Sequence, residues 1–407
     1  MRYNTYTLAN GLRVIHLPSE SPVVYCGYQL QAGTRDEETG QEGLAHFCEH
    51  ATFKGTARRK AWHVLNCLES VGGDLNAFTN KEDTVYYAAI LKDHVAKAVD
   101  LLSDIVFRSV YPQNELDKEV EVICDEIESY NDSPAELIYD EFENMVFRGH
   151  PLGHNILGTA ERVRAYTTQD ALSFARRHYV PSNAVFFAYG DVDFSRLVKL
   201  LERHTADIPA ASRPERKCPE LPQTSPQTRV VDKGTHQAHV MLGARAYPIH
   251  DERRITLYLL NNILGGPGLS ARLNLSLRER HGMVYTVESN MVSYGDTGMW
   301  NVYFGCDQKD VAKCLRLVRG ELDKIINSPL TPMQLAKAKK QIKGQIGVAC
   351  DNRESFALDF GKSFLHYGWE KDVHALYRHI DEVTADGIQR VAADLFAPDN
   401  LFTLIYQ

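Results

Sequence analysis

Five of the chain's sixteen prolines crowd into one polar stretch, "IPAASRPERKCPELPQTSPQ" at residues 208–227. Proline fixes φ and removes a backbone donor, so Pro209, Pro214, Pro219, Pro222 and Pro226 together rule out a helix or a central strand there. The stretch reads as an extended linker. It divides 407 residues into halves of similar size, each of a length that one ordinary core can serve. The expected organisation is a first domain over 1–208, a linker over 209–227 and a second domain over 228–407.

The two halves echo each other. "VVYCGYQLQAGTRDE" (23–37) reads as a strand, a turn and the approach to a helix, and "AHVMLGARAYPIHDE" (238–252) repeats that pattern. "GGDLNAFTNKEDTVYYAAIL" (72–91) reads as two strands joined by a turn, as does "HGMVYTVESNMVSYGDTGMWNVYFGC" (281–306). Each half then supplies amphipathic helices with apolar residues at helical spacing, such as "DHVAKAVDLLSDIVF" (93–107) and "DVAKCLRLVRGELDKII" (310–326). The fold class is therefore α+β: two related domains, each an antiparallel-rich β-sheet packed with helices.

Within that frame, "GLAHFCEHATFKGT" (43–56) sets His46, Glu49 and His50 on adjoining helical positions. Residues four apart share a helix face, so His46 and His50 can aim two imidazoles at one point, which is what Zn²⁺ accepts. Glu49 can flank that point and take a proton there without binding the ion. Cys48 faces away. The same spacing also fits a plain solvated polar face. A catalytic zinc needs a third protein ligand, and the best source is the acidic helix "NELDKEVEVICDEIESY" (114–130), with a buried stripe of Leu116, Val120, Ile123 and Ile127. Glu119 and Glu126 lie seven apart beside that stripe: one carboxylate can reach the metal and the other can orient a histidine. Glu121 and Glu128 point elsewhere, into solvent.

The bulk numbers are those of a soluble globular protein. Apolar residues make up 44% and charged residues 24%, and the net charge of −8 gives no reason to expect nucleic acid or an anionic membrane as partner. No run approaches the length of a membrane span. The N-terminus, "MRYNTYTLANGLRVIHL", alternates like a strand and lacks a charged-then-apolar signal. Eight scattered cysteines without a CxxC pair, several in apolar helical patterns, suggest reduced thiols in the cytoplasm. "HPLGHNILG" (150–158) holds His150 and His154 four apart, but Pro151 and Gly153 break any helix, so structural histidines in a loop are expected. "LGGPGLSARL" (264–273) lacks the GK[ST] that phosphate binding would need.

HxxEH is the inverzincin signature, and its surroundings resemble the pitrilysin/insulinase-type metallopeptidases, above all half-length members such as processing-peptidase subunits and bacterial homologues. The resemblance is carried by "NGLRVI" (10–15), "AGTRDE" (32–37), "GLAHFCEHATFKGT" (43–56), "GGDLNAFTNKEDTVYYA" (72–88), "EVEVICDEI" (119–127), "HPLGHNILG" (150–158) and "LRERHGMVY" (277–285). It implies one Zn²⁺ per chain held by His46, His50 and Glu126, with Glu49 as general base and Glu119 as the supporting acid. It implies that "LNAFT" (75–79) is an edge strand on which a peptide substrate pairs, with Asn76, Ala77 and Phe78 beside its backbone. It also implies that Arg278 and Tyr285 contact substrate near the zinc. Cys48 departs from the bulky apolar residue common in the family, which bears on packing. Relatives close two half-barrels into a clam-shell chamber for short or unfolded peptides. For a half-length chain this implies a homodimer with Arg278 and Tyr285 acting across the interface, or a heterodimer with an inactive relative. The competing function is an inactive or structural partner subunit of such a pair.

Overall fold

A computed structural model describes residues 2–212, 214–216, 218–222 and 225–407. Arg213, Lys217, Gln223 and Thr224 of the expected linker lie outside the described residues; the others between 209 and 227 form neither helix nor strand.

Strands β1 (Asn4–Thr7), β2 (Arg13–Pro18), β3 (Val23–Leu30), β4 (Asp74–Thr79), β5 (Thr84–Leu91) and β6 (Ala184–Gly190) make one sheet in the order β1-β2-β6-β3-β5-β4. Strands β7 (Thr228–Val231), β8 (Ala238–Ala246), β9 (Val284–Ser293), β10 (Gly298–Cys306) and β11 (Phe402–Tyr406) make a second in the order β7-β11-β8-β10-β9. Without β1, the two orders match position for position. The parallel pair also falls at the same place, β2 with β6 and β7 with β11, while the other pairs are antiparallel. The echo seen in the sequence is thus a repeated topology. β3 reads as a near-continuous apolar run because the helices Val95–Arg108 and Arg353–Tyr367 both pack on it.

The compact units depart from the consecutive halves expected. One comprises Met1–Glu128, Asn155–Lys217 and Ala349–Asp372; the other comprises Ser129–His154, Cys218–Val348 and Val373–Gln407. Each half lends a helix to the other's sheet. The helix Pro134–Val146 buries Leu137, Ile138, Phe142, Met145 and Val146 in a cluster with Met241, Phe402, Leu404 and Tyr406 of the second sheet. The helix Arg353–Tyr367 lies on β6 and β3 of the first, with Phe360 edge-on to Phe187 at 6.3 Å and Arg13 donating to the carbonyls of Phe364 and Leu365, both at 2.9 Å. It approaches β3 closely through Gly361, where a Cβ would stand 2.8 Å from Gln29 Oε1. An amphipathic stripe shows that a helix has a buried face, not which sheet it covers, so this exchange has no local signal.

The exchanged helix also pins the β4–β5 turn. Asp83, fully buried there, lies 3.0 Å from Lys362 Nζ and 3.4 Å from His366 Nε2, and accepts from Asn80 Nδ2 at 3.1 Å. Burial alone would raise its carboxyl pKa, but Lys362 and His366 together hold it well below the usual range. Replacing Asp83 by Asn removes the countercharge of half-exposed Lys362 and buried His366, an effect of about 1–3 kcal/mol. The expected result is a lower urea midpoint for Asp83→Asn at neutral pH. Because the folded pKa is depressed, the wild-type advantage is present above about pH 4 and lost as the pH falls further. A difference that grows on acidification contradicts this assignment. Among the described residues no helix is long and apolar enough to cross a membrane.

Candidate metal centre

The helix Leu44–Thr52 carries the HxxEH residues and is buried almost all round. Gly43 starts it in the left-handed region (φ 91°), and a Cβ there would lie 2.7 Å from the Leu157 carbonyl oxygen. Gly158 closes against Glu42 in the same way, so the end of "HPLGHNILG" packs on the entrance to this helix. His150 is buried and accepts from the Leu152 amide. Glu37 caps the helix, its carboxylate accepting from the amides of Gly43 (3.1 Å) and Ala45 (2.8 Å), where anionic groups are favoured. Phe47, Cys48 and Ala51 enter the core; Cys48 is fully buried and points away from the histidines' partners.

His46 is 6% and Glu49 8% exposed, which excludes the solvated-face reading. Polar groups so deeply buried on a helix call for partners, and the acidic helix brings the nearest ones. The helix Gln113–Asn131 buries Leu116, Val120, Ile123 and Ile127 and so turns Glu119 and Glu126 toward the histidines. Glu126 Oε2 lies 3.8 Å from His46 Nε2 and 3.4 Å from His50 Nε2. Among the described residues this is the one group of three such side chains whose ligand atoms come together, all within 4.8 Å of one another. Atoms about 2.0–2.1 Å from a shared tetrahedral ion stand about 3.3 Å apart, and two imidazole nitrogens with one carboxylate oxygen form a zinc donor set. The residues fit the ion. Glu126's side chain is 46% exposed, so the cluster is reached from solvent on that side.

His50 Nδ1 lies 2.9 Å from Glu119 Oε1. A carboxylate only accepts, so Nδ1 carries a proton toward Glu119, which fixes the ring with Nε2 on the side of Glu126. Lys54 pairs with the other oxygen of Glu119. Burial would raise Glu119's pKa, but His50 and Lys54 outweigh it and hold the carboxylate ionised. For His50 too, burial is opposed and overcome, here by Glu119 and Glu126, so its pKa is raised. His46 goes the other way: burial, then the neighbouring His50, lower its pKa and keep it a neutral donor. Its Nδ1 is buried without a partner.

Glu49 Oε2 accepts from the Thr79 hydroxyl at 2.6 Å. Burial raises the Glu49 pKa against that hydrogen bond, which makes it a better proton acceptor. Thr79 is the last residue of β4, at the edge of the sheet. There β4 pairs with β5 alone among the described residues, Asn76 opposite Tyr87, Ala77 opposite Tyr86 and Phe78 opposite Val85. Leu75 and Ala77 pack on the core, and Asn76 and Phe78 take the opposite face. Lys54, Thr79 and Glu37 went unassigned in the sequence reading. Thr79 had a signal, since it shares a strand face with Leu75 and Ala77; Lys54 had none.

Arg278 and Tyr285 belong to the second unit. Arg278 lies on the helical segment Asn274–Glu279 and Tyr285 at the start of β9, the edge strand of its sheet, with the guanidinium 5.8 Å from the ring centroid. Tyr285 is 84% exposed. The pair meets each other in open solvent.

A repeated α+β half, one copy bearing a His-His-Glu cluster with a buried glutamate beside it, defines a metallopeptidase-like class. The chain belongs to the insulinase family. "Insulinase (Peptidase family M16)" matches residues 13–160, and "Peptidase M16 inactive domain" matches 165–342. An uncharacterized zinc protease of Streptomyces coelicolor is 33% identical over 96% of this chain and 86% of its own length. The uncharacterized zinc protease YmxG of Bacillus subtilis is 31% identical over 98% of this chain and 97% of its own. Among solved structures, a protease from Helicobacter pylori has the same fold, with a TM-score of 0.92 and 22% identity over 100% and 99% of the two chains. A peptidase M16 inactive domain from Pseudomonas fluorescens has a TM-score of 0.92 at 18% identity, over 100% and 98%.

Proposed function

We propose that the chain is a zinc-dependent endopeptidase or oligopeptidase acting on short or unfolded peptides. The observation that carries this is the convergence of His46, His50 and Glu126, with Glu49 buried beside them and tied through Thr79 to an unpaired strand edge. His46, His50 and Glu126 would hold a zinc ion, which would supply Lewis acidity and make a water there more acidic. Glu49 accepts the proton and passes it to the leaving amine. β4 offers unpaired backbone groups along Asn76, Ala77 and Phe78, on which a peptide is held extended by β-addition. An exposed hydroxyl such as that of Tyr285 is suited to donate to a developing oxyanion.

The family description with "inactive" in its name falls on 165–342, outside the cluster at 46–126, which favours an enzyme over a structural partner subunit. We further propose a homodimer in which Arg278 and Tyr285 of one copy complete the site of the other, in the cytoplasm.

Metal analysis of the purified protein, with hydrolysis of a peptide library before and after chelation, tests the reading. About one zinc per chain is expected, with cleavage abolished by the chelator and restored by zinc. Size exclusion with each fraction assayed places the activity in a dimer peak; activity confined to a monomer removes the homodimer. Full cleavage by metal-free protein removes the proposal.

A further inference from the structure

We propose that Arg216, in the interdomain linker, is a positioning residue for the catalytic helix; this rests on the peptidase reading above. Its guanidinium grips Asp36 with Nε and Nη2 at 2.8 and 2.6 Å, and Glu82 with Nη1 at 3.2 Å and, through Nη2, the Glu82 carbonyl at 2.8 Å. The side chain is only 13% exposed, and Asp36 and Glu82 are buried with it. A proline-rich polar run should be solvated; this arginine is instead built into the fold. The Arg216–Asp36 pair lines a cavity of about 370 Å³ together with Gln31, His178, Pro214 and Glu215.

What it joins gives the residue its role. The loop at 33–37 and the turn at 80–83 are linked by Thr34 donating to the Asn80 carbonyl (3.2 Å), Arg35 to that of Lys81 (2.8 Å) and Arg35 Nη1 to Glu82 Oε1 (2.9 Å). One residue beyond Asp36, Glu37 caps the histidine helix; one residue before the turn, Thr79 holds Glu49. Arg216 spans both segments and so fixes the helix bearing His46 and His50 relative to the strand bearing Thr79. Without it, Arg35 still pairs with Glu82, but the side-chain bridge from Glu82 to Asp36 is lost. The chain crosses into the second unit two residues later, so the linker's catalytic end is fastened to the loops that frame the site.

Arg216→Ala and Arg216→Lys decide the matter, each read by kcat, KM, zinc content, thermal midpoint and amide hydrogen exchange of the holoenzyme. A misplaced base costs rate and not metal, so Arg216→Ala is expected to lose about 10- to 100-fold in kcat. Its KM should stay within about twofold and its zinc content should be unchanged. Lysine restores charge but not the planar fork, so Arg216→Lys should recover the thermal midpoint and leave kcat low. The Gly43 and Ala45 amides should exchange about tenfold faster in both variants. Full recovery of kcat by lysine makes the role one of charge alone and overturns the proposal, as does wild-type exchange in both variants. Should the wild type bind zinc and cleave nothing, the peptidase reading falls, and the exchange rates alone then decide the role of Arg216.

Discussion

Glu49→Gln is expected to keep its zinc and lose at least a thousandfold in kcat, toward the upper end of the 10²–10⁴ that a positioned general base contributes. The geometry separates the two properties. Glu49 lies on the histidine helix but does not share in the cluster of His46, His50 and Glu126; its carboxylate is turned to the Thr79 hydroxyl on β4. Glutamine has nearly the same shape and can still accept from Thr79, so neither the helix nor the ion has reason to move. What the amide cannot do is take a proton. Burial, which raises the pKa of Glu49, brings the acid closer to the working pH and increases its worth as a base. Metal content by elemental analysis and kcat on a fluorogenic peptide check the two halves separately. A variant that retains full hydrolysis assigns the proton transfer to another group; one that loses zinc makes Glu49 a structural support.

The local parts of this site can be read in the sequence because each depends on spacing within one element. His46 and His50 four apart, and Glu119 and Glu126 seven apart beside a buried stripe, need only helical geometry to be brought to one side. The repeated strand order is legible for a similar reason, since the alternation of 72–91 recurs in 281–306 and each forms an edge hairpin. Other features depend on what meets at a distance. The exchange of Pro134–Val146 for Arg353–Tyr367 leaves both amphipathic patterns intact and alters only the sheet each one covers. Arg216 looks like one more charge in a polar linker until Asp36 and Glu82 are placed beside it. The division at 208 fails at the exchanged helices, where proximity along the chain is a poor guide to packing.

Removing a ligand and removing its support should differ in degree, and that ladder tests the centre most directly. His46→Ala, His50→Ala and Glu126→Ala each delete one donor atom from the cluster. Structural zinc sites bind with on the order of 10–16 kcal/mol shared among their ligands, and on that scale each loss here should weaken binding by roughly a thousandfold. Glu126 adds a charge as well: without it two neutral imidazoles face a dication. Glu119→Gln leaves all three donors in place and removes only the anion that fixes His50 through Nδ1; such supporting contacts are worth about 10- to 100-fold in affinity. Lys54 sharpens the distinction, because its charge faces Glu119 and not the ion. Zinc affinity measured against a competing chelator should therefore place Glu119→Gln between wild type and the three alanine variants. Should Glu119→Gln weaken binding as much as Glu126→Ala does, the roles of the two glutamates on the acidic helix would have to be exchanged.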